Sequence, residues 1–357
     1  NYPWQHEVYR TANSAERLLL LARREHVLLG NRVREDETAW HITHDSRRLP
    51  FLADHKVEDA VVFPAAGFAE MLLAVGRILH PGAEIELRDL DIYAPLVLDE
   101  ASEREVRTRE MAPSTFVIES RPRLSHDAFM PHVKATVGKA PARPEAPEPF
   151  ELPDDARRVP AARLYELTSR FGLPYGPVFR RASTVTLIDG SRAHVRLAPA
   201  DPATARLGFA LDPTLFDSCF HALFAFLAGT MANEETAVLP IRIGRLILAD
   251  GAAPPAEADI VVRTPTEGIA EADFMMRDGA GNVVAKVTGV RFQAVPLGRA
   301  TGGATLYAAP YLKRITRAYE PSSVVRALPG SLIAEEALEP SETALLMEAG
   351  VQAAAAE

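Results

Sequence analysis

The sequence predicts an α+β chain of two similar halves, each an antiparallel sheet wrapped around one long apolar helix. Three observations carry this reading. Two helical stretches are apolar over too wide an arc for a surface helix. Strand-like segments with partial alternation flank each of them. A proline-dense stretch separates the two sets.

The first helix is expected from Pro64 to about His80, with Phe68, Met71, Leu72, Val75, Ile78 and Leu79 apolar. Proline suits the first helical position, where no intrahelical N–H bond is lost. EIELRDLDIY, REVRTREM and STFVIES follow as strand candidates, rich in β-branched residues. The stretch GKAPARPEAPEPFELPDD cannot hold a helix or a central strand and predicts an extended, semi-rigid linker. In the second half, strands are expected at Ser183–Ile188 and Ala193–Leu197, then a helix from about Pro213 to Leu227. That helix carries Leu215, Phe216, Cys219, Phe220, Leu223, Phe224 and Leu227. IRIGRLILA, ADIVVRT, ADFMMRD and VVAKVTGVRFQAV read as further strands, with Ala280–Asn282 as a hairpin turn. The expected boundaries are an N-terminal inter-domain segment at 1–26, the first half at 27–137 and a linker at 138–157. The second half then covers 158–296, and a tail at 297–357 has room for local helix.

The bulk numbers exclude several classes. At 47% hydrophobic and 24% charged, the chain of 357 residues has the composition of a globular protein with ample core. A net charge of −9 argues against nucleic acid as a bulk partner. The single cysteine, Cys219, rules out an intramolecular disulfide and fits a reducing compartment, so a cytoplasmic location is expected. No apolar run approaches the ~20 residues that span a membrane. With Asn1 first and no leader pattern, the chain reads as a piece of something longer.

Few residues are placed to carry chemistry. His55 opens DHKVEDAVVFPAAGF, an apolar, strand-like run leading into the helix at Pro64. A base there would stand beside the free N–H groups of a helix start, which favour partial negative charge. That combination suits removal of a proton next to a carbonyl. The alternative is a structural histidine, one of ten in the chain. Asp217 and His221 are four apart, hence on one helical face. A carboxyl in the apolar run LDPTLFDSCFHALF would have its neutral form favoured by desolvation, as a general acid needs. It could equally be a dipole-stabilised carboxylate near a helix start. FGLPYGPVF is a sharply structured loop, either a hairpin corner or a pocket wall offering an N–H and a tyrosine hydroxyl. His41 and His44 lack a third ligand at a recognised spacing, so no metal is expected. Serine-nucleophile, Walker and dinucleotide-loop patterns are absent.

In order, the chain shows His55 through Pro64, Tyr175-Gly176-Pro177-Val178-Phe179, Asp217 through His221, and Leu239-Pro240. These segments resemble the H-x3-G-x4-P, Y-G-P-x-F, D-x3-Q/H and L-P-x motifs of the dehydratase domains of polyketide synthases and animal-type fatty acid synthases. The resemblance runs from residue 1 to about 296, and YPWQHEVY resembles the segment that follows an acyltransferase in such megasynthases. It implies a double hotdog fold and removal of water from a 3-hydroxyacyl thioester held on the phosphopantetheine arm of acyl carrier protein. It implies that His55 takes the α-proton and that Asp217 protonates the departing hydroxyl. His221 would orient Asp217, and Tyr175 would bind near the hydroxyl. The amide of Ala65, just after Pro64, and the backbone of Gly176 would polarise the thioester carbonyl. No cofactor or metal is implied. The expected partners are the carrier protein, neighbouring synthase domains and a second copy in a homodimer. Carrier docking would fall to an arginine patch drawn from Arg180, Arg181, Arg242 and Arg245.

One position departs from the pattern: Asp59 stands where the family has glycine. Aspartate tolerates the left-handed region better than most residues, so the expectation is an intact turn and an intact site. Two other readings remain beside dehydration. A variant of the same domain could shift a double bond or close an oxygen ring. A decayed, non-catalytic acyl-binding scaffold would have Asp59 as its symptom.

Overall fold

The structure is a computed structural model that describes residues 24–32, 37–44, 49–98, 103–141, 147–227, 236–266, 269–296, 325–328 and 331–334. In the first half, β1 (Asn31–Arg32) and β2 (Ala39–His44) precede a 3-10 turn at Pro50–Asp54 and a small ribbon, β3 (Lys56–Val57) with β4 (Ala60–Val61). Helix α1 (Ala65–Leu79) follows, then β5 (Ile85–Ile92), β6 (Arg104–Ala112), β7 (Thr115–Pro122) and β8 (Met130–Lys139). The second half opens with β9 (Arg157–Pro160), helix α2 (Ala161–Arg170) and a 3-10 turn at Pro177–Phe179. Strands β10 (Ala182–Leu187) and β11 (Arg192–Leu197) lead to helices α3 (Pro202–Ala205), α4 (Pro213–His221) and α5 (Leu223–Leu227). Strands β12 (Thr236–Leu248), β13 (Glu257–Thr266), β14 (Ile269–Arg277) and β15 (Val283–Pro296) complete it.

Thirteen strands form one sheet in the order β1-β2-β6-β7-β8-β5-β12-β15-β14-β13-β11-β10-β9, antiparallel at every step. The halves join edge to edge where β5 pairs with β12, Leu90 opposite Ile243, so neither central edge is left unpaired. Helix α1 packs on β5 and β8, helix α4 lies against β10 and β11, and the two helices touch each other. The first twelve residues of α1 are buried, as is all of α4, which is why both read as apolar on nearly every side. Leu79 departs from the expected stripe: it ends the helix at the rim, 37% exposed. At Gly76 a Cβ would lie 2.4 Å from Ile85 Cγ2, so glycine lets α1 close onto β5.

Several sequence expectations shift. Pro64 caps α1 in an extended conformation rather than starting it, and Ala65 is the first helical residue. The long second helix divides at Ala222, whose N–H reaches back to Cys219 instead of one residue further. Helix α2 and strand β8 had no expected counterpart. Pro131 and Gly138 disguise β8, and the apolar face of α2 is narrow, with Leu164, Tyr165 and Leu167 buried. β8 continues to Lys139, two residues into the stretch read as linker. The described linker residues 147–156 form no strand or helix and are fastened to the second half. Arg277 donates to the Pro147 carbonyl, Phe150 N–H donates to Asp259 Oδ2 at 3.2 Å, and Arg192 lies 5.6 Å over the Phe150 ring. The turn at Ala280–Asn282 joins β14 to β15, held by Asp278, with Gly281 at φ 83°. In the tail, where the sequence left room for local helix, the described residues form a strand pair, β16 (Val325–Leu328) with β17 (Ser331–Ala334). The segment expected to precede the first half lies outside the described residues through position 23. Among the described residues no helix is long and apolar enough to cross a membrane.

Candidate active site

His55 leaves the 3-10 turn at Pro50–Asp54 in an extended conformation, and its N–H returns to the Leu52 carbonyl at 3.1 Å. Its Nδ1 faces the Val62 carbonyl at 2.6 Å. A carbonyl can only accept, so Nδ1 carries the proton and Nε2 keeps its lone pair. The ring packs between Tyr175 and Phe179, at 5.5 and 5.2 Å, and is almost fully buried. Burial pulls the imidazole below its ordinary pKa, against an opposing pull from Asp217. The result is a neutral imidazole with its basic nitrogen free.

Asp217 sits mid-helix in α4, which starts at Pro213 behind the Asp212 cap, whose carboxylate accepts from Thr214 N–H at 2.8 Å. Asp217 is 3% exposed. His221, one turn on, donates from Nε2 to Asp217 Oδ2 at 2.9 Å, which leaves the other carboxyl oxygen free of that bond. The His221 ring packs against Tyr175, tilted by 33° at 3.8 Å, and is met edge-on by Tyr165 at 5.7 Å. Nε2 of His55 lies 3.7 Å from Oδ2 of Asp217. Residues from the two halves thus meet, an imidazole nitrogen facing a carboxyl.

They meet in a cavity of about 50 Å³ of space open to a water-sized sphere. Its wall is apolar apart from His55, Asp217 and Tyr175, and it includes Ala65, Leu239 and Pro240. Of the predicted set, Ala65 therefore brings the start of α1 to the cavity. Pro64 stands behind it as the cap, with its carbonyl taken by the N–H groups of Gly67 and Phe68. Gly176 has a different place from the one the resemblance implied. Its N–H donates to the Asp54 carbonyl at 2.7 Å and so is spent inside the protein. A Cβ there would stand 2.2 Å from Asp54 Cγ, so glycine is needed for close approach. Asp59 is exposed at the tip of the β3–β4 turn, and the left-handed residue is its neighbour Glu58, at φ 52°. The turn forms without glycine at position 59. His41 and His44, three apart on β2, fall on opposite faces of the strand. His41 lies 3.6 Å from Glu105, and His44 packs 5.1 Å from Phe63. Sequence reasoning passed over three contributors: the Val62 carbonyl, Tyr165 and Asp54. The aspartate directly before His55 was the one visible cue among them.

Residues 26–121 match the family model described as polyketide synthase dehydratase domain, and residues 143–301 match the one described as polyketide synthase dehydratase N-terminal domain. Together they cover well over half of the chain. The chain belongs to the polyketide synthase dehydratase family. Members of this family are hydro-lyases, and this dehydratase domain shares their double hotdog fold. It is 29% identical over 278 residues to the PKS-NRPS hybrid synthetase psoA of Aspergillus fumigatus, covering 70% of this chain and 7% of that one. It is 26% identical over 337 residues to the highly reducing polyketide synthase sorA of Penicillium rubens, covering 84% of this chain and 13% of that one. The chain thus spans a small part of the length of these relatives. Among solved structures it is similar to the dehydratase domain from the CurJ module of the curacin polyketide synthase. That match has a TM-score of 0.66 and 20% identity, over 76% of this chain and 98% of the other. The dehydratase domain of PpsC from Mycobacterium tuberculosis, solved with C12:1-CoA, matches with a TM-score of 0.61 at 20% identity, over 75% of this chain and 99% of the other.

Proposed function

We propose that this domain removes water from a 3-hydroxyacyl thioester carried on acyl carrier protein, with His55 as base and Asp217 as acid. The observation that carries the assignment of roles is the free Nε2 of His55, 3.7 Å from the Asp217 carboxyl inside one apolar cavity. Nε2 takes the proton from Cα. The C–H electron pair becomes the Cα=Cβ bond, the Cβ–O bond breaks, and hydroxide leaves as water with the proton from Asp217. Each role follows from chemistry. A thioester α-proton is weakly acidic, so the base must act with the carbonyl polarised, a task for the amide of Ala65 at the start of α1. Hydroxide is a poor leaving group and needs the proton of Asp217. His221 holds the Asp217 carboxyl, and Tyr175 closes the cavity beside both. Afterwards Nε2 bears a proton and Asp217 a charge, and the departing water can bridge the gap and return the proton. Protons move and no electrons are transferred to a carrier, so this reading needs no cofactor.

Neighbouring synthase domains, a homodimeric assembly and a reducing cytoplasm complete the reading. Of the arginines considered for carrier docking, Arg242 is paired with Asp89 and Asp91, and Arg245 with Glu86. Arg181 lies 3.9 Å from Asp201. Arg180 instead donates to the Tyr175 carbonyl at 2.7 Å, on the loop that closes the cavity, and is our choice for meeting an acidic carrier.

The test is mass spectrometry of pantetheine-bound 3-hydroxyacyl thioesters incubated with the chain. Wild type should remove one water. His55→Ala and Asp217→Asn should each slow this by about 10²–10⁴-fold, the range of a lost general acid or base. Products of unchanged mass in the same sample would favour the double-bond-shifting or ring-closing alternative.

A further inference from the structure

We propose that Asp54 is a positioning residue for this reaction, a clamp that fastens the base-bearing turn of the first half to the Tyr175–Phe179 loop of the second. The proposal rests on the dehydratase reading for its effect on rate. Its structural content stands on hydrogen bonds alone.

The loop Tyr175-Gly176-Pro177-Val178-Phe179 has a gap in its donors, because Pro177 has no N–H. The N–H groups on either side both go to Asp54. Gly176 donates to its main-chain carbonyl at 2.7 Å, and Val178 donates to its Oδ2 at 2.8 Å. The fit is close enough that no side chain larger than hydrogen is tolerated at Gly176, where a Cβ would meet Asp54 Cγ at 2.2 Å.

The same residue governs the direction of His55. The peptide unit between Asp54 and His55 is planar, with the Asp54 carbonyl on one edge and the His55 N–H on the other. Both edges are held, the carbonyl by Gly176 and the N–H by the Leu52 carbonyl at 3.1 Å. On the other side of the His55 Cα its own carbonyl accepts from Val62 N–H at 3.1 Å, so the peptide planes on both sides are held and the Cα–Cβ direction of His55 is set by main-chain bonds. The ring then meets Tyr175 and Phe179, the two aromatic residues of the clamped loop. Tyr175 in turn packs against His221, which holds Asp217. Asp54 is therefore the hydrogen-bonded link through which the base side and the acid side keep one spacing, and displacements of ~1 Å at such a site can cost about 10²-fold in rate.

The experiment uses the full chain with the same pantetheine thioesters. Asp54→Ala should lower kcat about 10- to 100-fold with KM changed less than about threefold, the split expected when geometry and not binding is lost. Asp54→Asn keeps an oxygen acceptor for the Val178 N–H and should stay within about fivefold of wild type. Amide hydrogen exchange at Val178 should quicken in Asp54→Ala and much less in Asp54→Asn. If Asp54→Ala does not fold, Asp54→Ser, whose hydroxyl is too short to span the same gap, takes its place. A kcat for Asp54→Ala within twofold of wild type would overturn the proposal, as would an Asp54→Asn as slow as Asp54→Ala. If wild type dehydrates nothing, the dehydratase reading falls by itself. The clamp is then decided by Val178 exchange and by the NMR titration of the His55 ring, and no change in either in Asp54→Ala would sink it.

Discussion

His55 and Asp59 lie four residues apart and have opposite surroundings. Burial strips water from His55 and a carbonyl holds its Nδ1 proton, so the ring stays neutral and basic at the nitrogen facing Asp217. Asp59 is exposed on the turn, with a negative φ, and the main influences on the His55 imidazole are burial, Asp217, the Val62 carbonyl and His221. The idea of a decayed site rested on Asp59 and finds no support in its position. Substituting Asp59→Gly is expected to leave kcat/KM for dehydration within about twofold of wild type, since an exposed charge outside the cavity changes little. A gain of tenfold or more in a steady-state assay would instead revive the decayed-site reading.

Helix α4 shows how one element couples stability to chemistry. It is buried along its whole length, so its end groups need internal partners. Asp212 supplies them: Oδ1 accepts from the N–H and hydroxyl of Thr214, both at 2.8 Å, and Oδ2 accepts from the Thr204 hydroxyl at 2.8 Å. The cap therefore ties α3 to the helix that carries Asp217. Replacing Asp212 with alanine should cost about 1–2 kcal/mol, the upper part of the N-cap range, because the Thr214 hydroxyl loses its acceptor as well and the Thr204 hydroxyl keeps only the longer contact to the Asp201 carbonyl at 3.2 Å. Urea denaturation monitored by circular dichroism would measure it, and a cost near zero would mean that neighbouring groups or water take over the cap.

At the scale of the whole molecule, buried histidines link folding to pH. His44 is pulled down to about 3 and His132 to about 4, each chiefly by burial, and His55 is lowered for the same reason. In the unfolded chain all three take up protons below about 6.5. The unfolded state then binds more protons, so stability falls as pH drops, starting near 6.5 and continuing to about 4 for His132 and 3 for His44. Glu70, raised by burial, works in the opposite direction over its own range. His132 alone accounts for roughly 3 kcal/mol over that window, by the pKa difference. The melting temperature should therefore decline steadily from pH 7 to pH 5. A flat profile in differential scanning calorimetry would show that the buried rings are hydrated.

The two-half plan, the two apolar helices and most strands were legible in the residues themselves, and the resemblance singled out His55 and Asp217, which the structure brings together. Burial on all sides leaves a wide apolar arc, alternation marks a half-buried strand, and His55, Tyr175, Asp217 and Leu239 each stand in a recognisable local pattern. Helix α2 and strand β8 were not, since Leu164, Tyr165 and Leu167 make a narrow stripe and Pro131 and Gly138 mimic turn chemistry. What only the tertiary structure decided are the relations across the chain. The pairing of β5 with β12 makes two sheets one, and the 3.7 Å between His55 and Asp217 spans residues 162 positions apart. Gly176 changed from an expected carbonyl binder to a packing contact because its N–H found Asp54. Local pattern reports how a residue's neighbours in sequence want to be buried. It carries no record of which distant carbonyl will claim an N–H, and that choice is made only when the two halves close on each other.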